Sequence, residues 1–217
     1  MVKIVPTITA FSANEYKIQL DKIAFAKRIH PDFTDGIFAP SKTINLVQAY
    51  WPQDIIVDLH VMYQDPAAHL ETIISLKPAL VILHAESGGD LPAIFNQLKA
   101  VDIKSGIALL PDTSVESAAK LISQVDHVLI FGGRLGYQGS NLQKENLVKL
   151  KQAKSINPNI ETGWDGGVND SNAAQVSAAG ADVINVGGFI QKSEDPEASY
   201  NRLVEIVNRV GNDSSGT

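Results

Sequence analysis

Short apolar segments rich in Val and Ile alternate with longer amphipathic segments along most of the chain. The short segments have the length and β-branched content of buried strands, whereas the longer ones carry apolar residues at helical spacing. The predicted strands are residues 3–9, 28–33, 54–62, 79–86, 105–110, 127–133, 160–167 and 182–188. Strands that alternate with helices in this way are typical of a parallel sheet.

Helices are predicted between most of these strands. They cover residues 13–26, 90–101, 114–125, 143–155, 170–180 and 195–210. Thr113 and Glu116 have the spacing of a capping box, and Gly180 stands where a helix C-terminal glycine is common. These signals predict helix boundaries near residues 114 and 180.

The number of predicted strands favours a closed barrel. Eight strand–helix units of roughly 27 residues each approach the minimum size of a (β/α)₈ TIM barrel. We therefore predict an α/β fold with one barrel domain over residues 1–210, followed by a flexible polar tail over residues 211–217. A doubly wound open sheet is the alternative.

Composition narrows the possible partners and compartments. The formal net charge is −6, so a nucleic-acid-binding surface is not expected. The absence of cysteine excludes disulfides and thiolate metal sites. No apolar run approaches the roughly 20 residues of a membrane span, and residues 1–11 lack the apolar segment of a signal peptide. We expect a cytoplasmic protein with no membrane partner.

Four polar residues stand at predicted strand ends, where TIM barrels gather their active sites. His30 and Asp32 lie two residues apart in the second strand and therefore share a face; His60 ends the third strand and Asp165 the seventh. Buried alone, each of these groups needs a hydrogen-bond partner. Together, two imidazoles and two carboxylates can bind one divalent cation such as Zn, Mn, Fe or Co.

Glycine-rich turns follow the last three predicted strands, at residues 133–139, 165–167 and 186–188. Glycine permits a tight turn, and it also lets backbone N–H groups approach a phosphate closely. Barrels often bind phosphate after strands 7 and 8, so the clustering of these turns favours a phosphate ligand.

The motifs "HPDFTDGIFAPS", "VDLHVM", "LHAE", "GIALLPDT", "GYQG" and "DGGVNDSNAAQVSAAGADVINVGG" together resemble the ribulose-phosphate 3-epimerase family over nearly the whole chain. The resemblance implies a TIM barrel that interconverts ribulose 5-phosphate and xylulose 5-phosphate with one divalent metal. It further implies a sugar-phosphate substrate and a homo-oligomer.

The resemblance also implies the roles of individual residues. His30, Asp32, His60 and Asp165 match the metal ligands, and Asp32 and Asp165 match the catalytic acid/base pair. Such a pair suits epimerisation, because one group removes a proton from one face of the carbon and the other returns a proton to the opposite face. The matched substrate-binding residues are Thr7, Met62, Gly136, Gly139, Gly166, Gly167, Gly187 and Gly188.

The chain departs from the family at several positions near the predicted site. Thr34 and Phe131 stand where the family commonly has methionine, and Trp164 precedes Asp165 where a smaller apolar residue is usual. Strand alternation is expected to turn Trp164 towards the helices. Arg134 precedes the altered glycine loop and is either a phosphate ligand or a solvated residue. These changes affect the prediction of the substrate more than that of the metal.

Three classes of function remain open. The first is the epimerase, acting on ribulose 5-phosphate or on another ketose phosphate such as allulose 6-phosphate. The second is a related decarboxylase, which usually needs an Asp-x-Lys-x-x-Asp motif where this chain has Asp58, Leu59 and His60. The third is a non-catalytic metal or phosphate binder.

Four other polar residues receive weaker interpretations. His84 either contacts the substrate, orients a ligand or is a structural buried histidine. Asp35 is expected to brace its loop, and His69 and His127 are expected to be structural.

Overall fold

The computed structural model describes residues 1–133, 135, 137 and 139–213, which form a closed barrel of eight parallel strands. The strands are β1 Lys3–Ile8, β2 Arg28–Thr34, β3 Ile56–Met62, β4 Leu80–His84, β5 Lys104–Leu109, β6 His127–Phe131, β7 Glu161–Asp165 and β8 Val183–Val186. Each overlaps one predicted strand. Because β1 pairs with β8 as well as with β2, the sheet has no open edge, and the TIM-barrel prediction is confirmed.

Helices surround this barrel. They are α1 Ala13–Lys22, α2 Leu70–Ser75, α3 Leu91–Lys99, α4 Ala119–Ile122, α5 Val148–Ile156, α6 Ala173–Ala178, α7 Gly188–Gln191 and α8 Pro196–Asp213. All six predicted helices are present, although most are shorter than predicted. The short helices α2 and α7 were not predicted, because segments of six and four residues carry too little periodicity to detect.

The prediction of a capping box at Thr113 and Glu116 is wrong. Helix α4 begins at Ala119, and residues 115–118 form turns. The Thr113 hydroxyl donates to the Glu86 carboxylate instead of capping a helix. The Gly180 prediction is confirmed, since this residue follows α6 with a left-handed φ of +103° and its N–H donates to the Ser177 carbonyl.

A network of charged side chains lies inside the barrel at the amino ends of the strands. Arg28 Nε is 2.8 Å from Asp58 Oδ2, and Arg28 Nη2 is 2.7 Å from Glu161 Oε2. His127 Nδ1 lies 3.1 Å from Glu161 Oε2, and Lys3 Nζ lies 3.3 Å from Glu161 Oε1. His127 is thus part of the barrel base, away from the strand ends at which a TIM-barrel active site forms.

A small apolar cluster lies above this base network. It is buried, and it is separate from the main core between strands and helices; its members are Leu80, Ile82, Ala108 and Leu129. Alternation along β4 and β6 puts Ile82 and Leu129 between the base and the inward-facing His84 and Phe131. On this side of the barrel, apolar side chains therefore separate the base from the polar residues at the carboxyl ends of the strands.

The last helix runs to Asp213, so the predicted tail of residues 211–217 overlaps its end and then passes outside the described residues. Within the described part of the chain, none of the helices combines the length and apolarity needed to cross a bilayer.

Candidate metal and phosphate site

Two histidines and two aspartates from three strands meet at the carboxyl end of the barrel. His30, Asp32, His60 and Asp165 each offer one ligand atom, and these atoms all lie within 4.8 Å of one another. His30 and Asp32 share the inner face of β2, and the register of β2 with β3 pairs Asp32 with His60. The barrel thus brings together all four residues that the sequence singled out.

Asp32 lies at the centre of this cluster. Its Oδ1 is 2.9 Å from His60 Nδ1 and 3.4 Å from His30 Nε2, and the latter atom is 3.9 Å from Asp165 Oδ2. Both imidazole rings are fully buried, whereas the carboxylates of Asp32 and Asp165 retain 9% and 14% of their side-chain exposure. The carboxylates therefore form the accessible part of the cluster.

Thr9 is a member of the site that the sequence did not single out. Its hydroxyl donates a buried hydrogen bond of 2.7 Å to Asp32 Oδ2. This bond favours the ionised carboxylate and fixes its orientation. Thr9 directly follows β1 and has the same parity as the inward-facing Thr7, so strand alternation was the signal that could have identified it.

His84 and Glu86 extend the cluster on one side. His60 Nε2 lies 2.9 Å from His84 Nε2, and His84 Nδ1 lies 3.4 Å from Glu86 Oε2. Burial lowers the pKa of His84 to about 4, so its ring is neutral near pH 7. Burial alone would raise the pKa of Glu86, but bonds from His84, Thr113 and the Leu110 N–H outweigh it and keep this pKa below its usual value. Glu86 is therefore an ionised acceptor.

These two residues favour one tautomer of His60 when a cation occupies the site. The negative Glu86 favours a proton on His84 Nδ1, so His84 Nε2 can accept the Nε2 proton of a metal-bound His60. His60 Nδ1 is then free to bind the cation, whereas without a cation the ionised Asp32 accepts a hydrogen bond from this nitrogen. His84 is accordingly a residue that orients a candidate ligand, one of the three roles left open by the sequence.

The donor atoms fit a divalent cation. In that tautomer, His60 Nδ1 and Asp32 Oδ1 both direct lone pairs at the space between them, as two ligands of one cation do. His30 Nε2 is buried without a hydrogen-bond partner among the described residues and faces the same carboxylates. Two nitrogen and two oxygen ligands suit Zn, Mn, Fe or Co.

The two aspartates differ in their affinity for protons. Burial favours a neutral Asp32, but the interactions of this carboxylate with His30 and His60 outweigh it and hold its pKa below the usual range. Burial, together with the negative charge of Asp32, raises the pKa of Asp165. A divalent cation would favour the ionised form of both carboxylates.

A cavity of about 290 Å³ begins at this cluster and continues towards the glycine-rich loops. The candidate residues that line it are Thr7, Asp32, Met62, Gly139, Asp165, Gly166, Gly167, Gly187 and Gly188. Of the candidate substrate-binding residues, Gly136 lies outside the described residues, as do Arg134 and Gln138 of the same loop. The other candidates therefore border one continuous space.

Glycine at 166 and 167 has a packing reason. Both residues have left-handed φ angles, and a Cβ on either would overlap the backbone of the loop after β6. The two loops can touch only because these side chains are missing. At the same end of the cavity, Lys192 Nζ would lie 3.7 Å from a Cβ placed on Gly139. Lys192 thus adds a positive charge that the sequence analysis did not identify.

The three residues that depart from the family pattern lie in different surroundings. Phe131 lines the cavity, and its ring centroid lies 5.9 Å from that of His60 and 5.6 Å from that of His84. Thr34 is buried, and its hydroxyl donates to the Ser41 carbonyl. Trp164 is fully buried in the core between strands and helices, as alternation predicts, and its indole N–H donates to the Gly166 carbonyl. Only Phe131 of these three borders the substrate space.

The loop after β2 is braced by Asp35, as expected. Its carboxylate accepts hydrogen bonds from the N–H groups of Ile37, Phe38 and Gln64, and so links this loop to the one after β3. His69 lies next to α2, where its ring makes an edge contact with Tyr63, 4.8 Å between centroids.

Solved structures with this fold include a 3-hexulose-6-phosphate synthase from Salmonella typhimurium. It matches with a TM-score of 0.74 and 12% identity over 96% of this chain and 100% of that one. A 3-keto-L-gulonate-6-phosphate decarboxylase from Vibrio cholerae matches with a TM-score of 0.73 and 11% identity, covering 96% of this chain and 98% of that one. At these identities the likeness shows the fold alone.

Sequence relatives are more informative. A ribulose-phosphate 3-epimerase from Helicobacter pylori is 28% identical over 212 residues, covering 94% of this chain and 98% of that protein. A chloroplastic ribulose-5-phosphate-3-epimerase from Arabidopsis thaliana is 30% identical over 190 residues, covering 82% of this chain and 67% of that protein. The model of the ribulose-phosphate 3 epimerase family matches residues 3–190, which include every candidate ligand and both carboxylates, and the chain belongs to this family.

Proposed function

We propose that this protein is a metal-dependent isomerase that interconverts D-ribulose 5-phosphate and D-xylulose 5-phosphate by inverting C3. The observation that carries the proposal is the convergence of two carboxylates and two imidazoles at one end of a cavity whose other end is bordered by glycine loops. A ketose phosphate has a matching polarity, with its keto and hydroxyl oxygens at one end and its phosphate at the other.

Asp32 and Asp165 are the proposed acid/base pair. Inversion beside a ketone requires proton removal on one face and proton delivery on the other. The two carboxylates come from β2 and β7, which are not neighbours in the barrel, and both border the cavity. A substrate carbon between them would therefore meet one carboxylate on each face.

His30, Asp32, His60 and Asp165 are the proposed ligands of one cation, which can be Zn, Mn, Fe or Co. When bound, such a cation supplies Lewis-acid stabilisation of the negative charge that develops on the substrate oxygens. Thr9 holds Asp32 in place, and the His84–Glu86 pair keeps the lone pair of His60 Nδ1 directed at the site.

The loops around Gly139, Gly167 and Gly188 are proposed to hold the phosphate. Their backbones border the cavity, and Lys192 supplies a cation beside them. An ammonium group next to backbone N–H donors suits a phosphate dianion. Arg134 precedes this group of loops in sequence and remains a proposed additional phosphate ligand.

Two observations bear on the alternative functions. Asp58, the first residue that a decarboxylase motif would need, is paired with Arg28 at the barrel base and does not reach the cavity. Phe131 places a rigid ring beside His60 and narrows the space next to the cluster. The first observation argues against the decarboxylase, and the second favours a five-carbon substrate over allulose 6-phosphate.

The test combines metal depletion with isotope exchange. Purified protein is stripped with EDTA, reloaded with Zn, Mn, Fe or Co singly, and assayed with ribulose 5-phosphate, allulose 6-phosphate and unphosphorylated ribulose in deuterated water. We expect activity to return with added metal, deuterium to enter at C3, and ribulose 5-phosphate to have the highest kcat/KM.

Three results would contradict parts of the proposal. Full activity after verified metal removal excludes the metal mechanism. Equal kcat/KM with and without the phosphate excludes the phosphate site. Metal binding without deuterium incorporation into any of the three compounds leaves a non-catalytic binder as the better description.

A further inference from the structure

The two ring nitrogens of His30 have different surroundings. Its Nε2 faces the carboxylates of Asp32 and Asp165 at 3.4 and 3.9 Å, and no described residue forms a hydrogen bond with it. Its Nδ1 lies 3.1 Å from the side-chain amide of Asn185. The ring is fully buried, so these neighbours determine which nitrogen carries the proton.

Asn185 is an unusual residue for its position. It lies on β8 within the apolar sequence Val-Ile-Asn-Val, faces the barrel interior, pairs in register with Asp165 and is only 2% exposed. Burying an amide costs free energy unless its polar atoms are bonded, so an aliphatic residue would fill this place at lower cost. Its Oδ1 nevertheless has no hydrogen-bond partner among the described residues.

The chemistry of a metal ligand resolves both features. To bind a cation, His30 Nε2 needs a free lone pair, so the ring proton must sit on Nδ1 and must be donated to an acceptor. The oxygen and nitrogen of an Asn amide exchange places by a half-turn of the group, and their assignment follows from the hydrogen bonds that they make. This exchange puts Oδ1 at His30 Nδ1 and gives the oxygen a donor.

We infer that Asn185 is a positioning residue for the metal centre, whose amide oxygen accepts the Nδ1 proton of His30 and so directs the Nε2 lone pair towards the cation. The inference rests on the proposed function only in requiring that His30 binds a metal. The two histidine ligands are then held by different acceptors: His60 by the neutral ring of His84, and His30 by a neutral amide.

The test compares three variants of the full chain. Asn185→Leu keeps the same branched arrangement of four side-chain heavy atoms but has no acceptor, and Asn185→Asp keeps an acceptor facing His30. Asn146→Leu is the matched control, because Asn146 is also a buried amide but bonds to Gln143 away from the cluster. Each protein is stripped of metal and titrated with Co²⁺ against a competing chelator, and its unfolding temperature is measured without metal.

We expect Asn185→Leu to weaken Co²⁺ binding roughly 10- to 100-fold, the usual effect of losing the acceptor behind a histidine ligand. Asn185→Asp should bind Co²⁺ at least as tightly as the wild type, and Asn146→Leu should bind it equally. Nitrogen NMR of the metal-loaded wild type should find the His30 proton on Nδ1. This measurement remains available if the Leu variant does not fold.

Several outcomes would overturn the inference. One is a Co²⁺ affinity of Asn185→Leu that equals that of the wild type. Another is a Co²⁺ affinity of Asn185→Asp that falls as far as that of Asn185→Leu, because a purely structural Asn would not be rescued by Asp. A third is an NMR measurement that finds the His30 proton on Nε2 in the metal-loaded protein. If the wild type itself fails to bind Co²⁺, the proposed function fails first and this inference with it, whereas the other outcomes leave the proposed function intact.

Discussion

His60 and His84 are joined edge to edge, with their Nε2 atoms 2.9 Å apart inside the barrel. One of these nitrogens donates and the other accepts, and the carboxylate of Glu86 beside His84 Nδ1 favours His60 as the donor when a cation occupies the site. The orientation of a candidate ligand thus depends on a residue that does not reach the metal.

Replacing His84 with Leu removes the acceptor for His60 Nε2. We expect the affinity for Co²⁺ to fall roughly 10- to 100-fold. The measurement is a chelator-competition titration of the metal-depleted protein. His69→Leu is the matched control, because His69 contacts Tyr63 outside the cluster. Equal affinities in the two variants would show that His84 is only a packing residue.

Replacing His60 with Ala removes a proposed ligand itself. We expect the metal content after purification to drop and the turnover to drop with it, because three ligands hold the cation less tightly than four. Elemental analysis and the epimerisation assay together measure this effect. Wild-type values in both would remove His60 from the metal site.

Asp32→Asn and Asp165→Asn each remove one group of the acid/base pair. We expect kcat to fall by roughly 10²- to 10⁴-fold in each variant, and more where the metal is also lost. Each variant keeps one carboxylate, which can still remove the C3 proton from one of the two epimers. For that epimer, exchange of the C3 proton with solvent should therefore be faster than inversion. Asp65→Asn, which alters an exposed loop carboxylate, is the control. Near-normal inversion by either variant would contradict the two-base mechanism.

Lys192→Met tests the phosphate end of the cavity. Phosphate contacts bind the ground state and the transition state alike, so KM should rise several-fold with little change in kcat. The same rise in KM with little change in kcat is expected for Arg134→Ala if Arg134 also binds phosphate. Lys120→Met, on α4 and outside the cavity lining, is the control. An unchanged KM for ribulose 5-phosphate would remove the altered residue from the phosphate site.

The base network predicts how stability depends on pH. Burial alone would raise the pKa of Glu161, but hydrogen bonds from His127 and Arg28 outweigh it and hold this pKa well below its usual range. A depressed carboxyl pKa contributes stability that is complete above the unfolded-state pKa of about 4.3 and is lost as the pH falls towards the folded-state value. Acid should therefore weaken this contribution.

Glu161→Gln should accordingly lower the free energy of unfolding by about 1–3 kcal/mol at pH 7 and by less at pH 3. Urea unfolding of both proteins at the two pH values measures the difference. Glu205→Gln, which breaks an exposed ion pair with Arg209, should change stability by less than about 0.5 kcal/mol. A Glu161→Gln effect that is the same at both pH values would contradict the role of the charge.

The strands and the four candidate ligands could be predicted because their signals are local. Runs of Val and Ile mark the strands, and two-residue spacing places His30 and Asp32 on one face. The short helices α2 and α7 carry no comparable signal. The predicted start of α4 was wrong because Thr113 has a stronger partner in Glu86, 27 residues away.

The residues that support the ligands could not be found in the same way. Thr9 reaches Asp32 on the neighbouring strand, and Asn185 reaches His30 across a separation of 155 residues. The second contact depends on closure of the barrel between β8 and β1, which brings distant parts of the chain together. A polar residue within an apolar strand is the sequence feature that could have indicated Asn185, whereas strand alternation could have indicated Thr9.

The apolar cluster of Leu80, Ile82, Ala108 and Leu129 lies between two charged regions on the β4–β6 side of the barrel, whereas Arg28 and His30 are consecutive inward-facing residues of β2. Charge interactions are little screened in a dry interior, so the Arg28–Glu161 network acts electrostatically on the candidate metal site at the other end. The two ends of the barrel are therefore coupled through their charges. Substitutions made to strengthen the base have to leave its charge unchanged if the site at the other end is to keep its metal affinity and substrate preference.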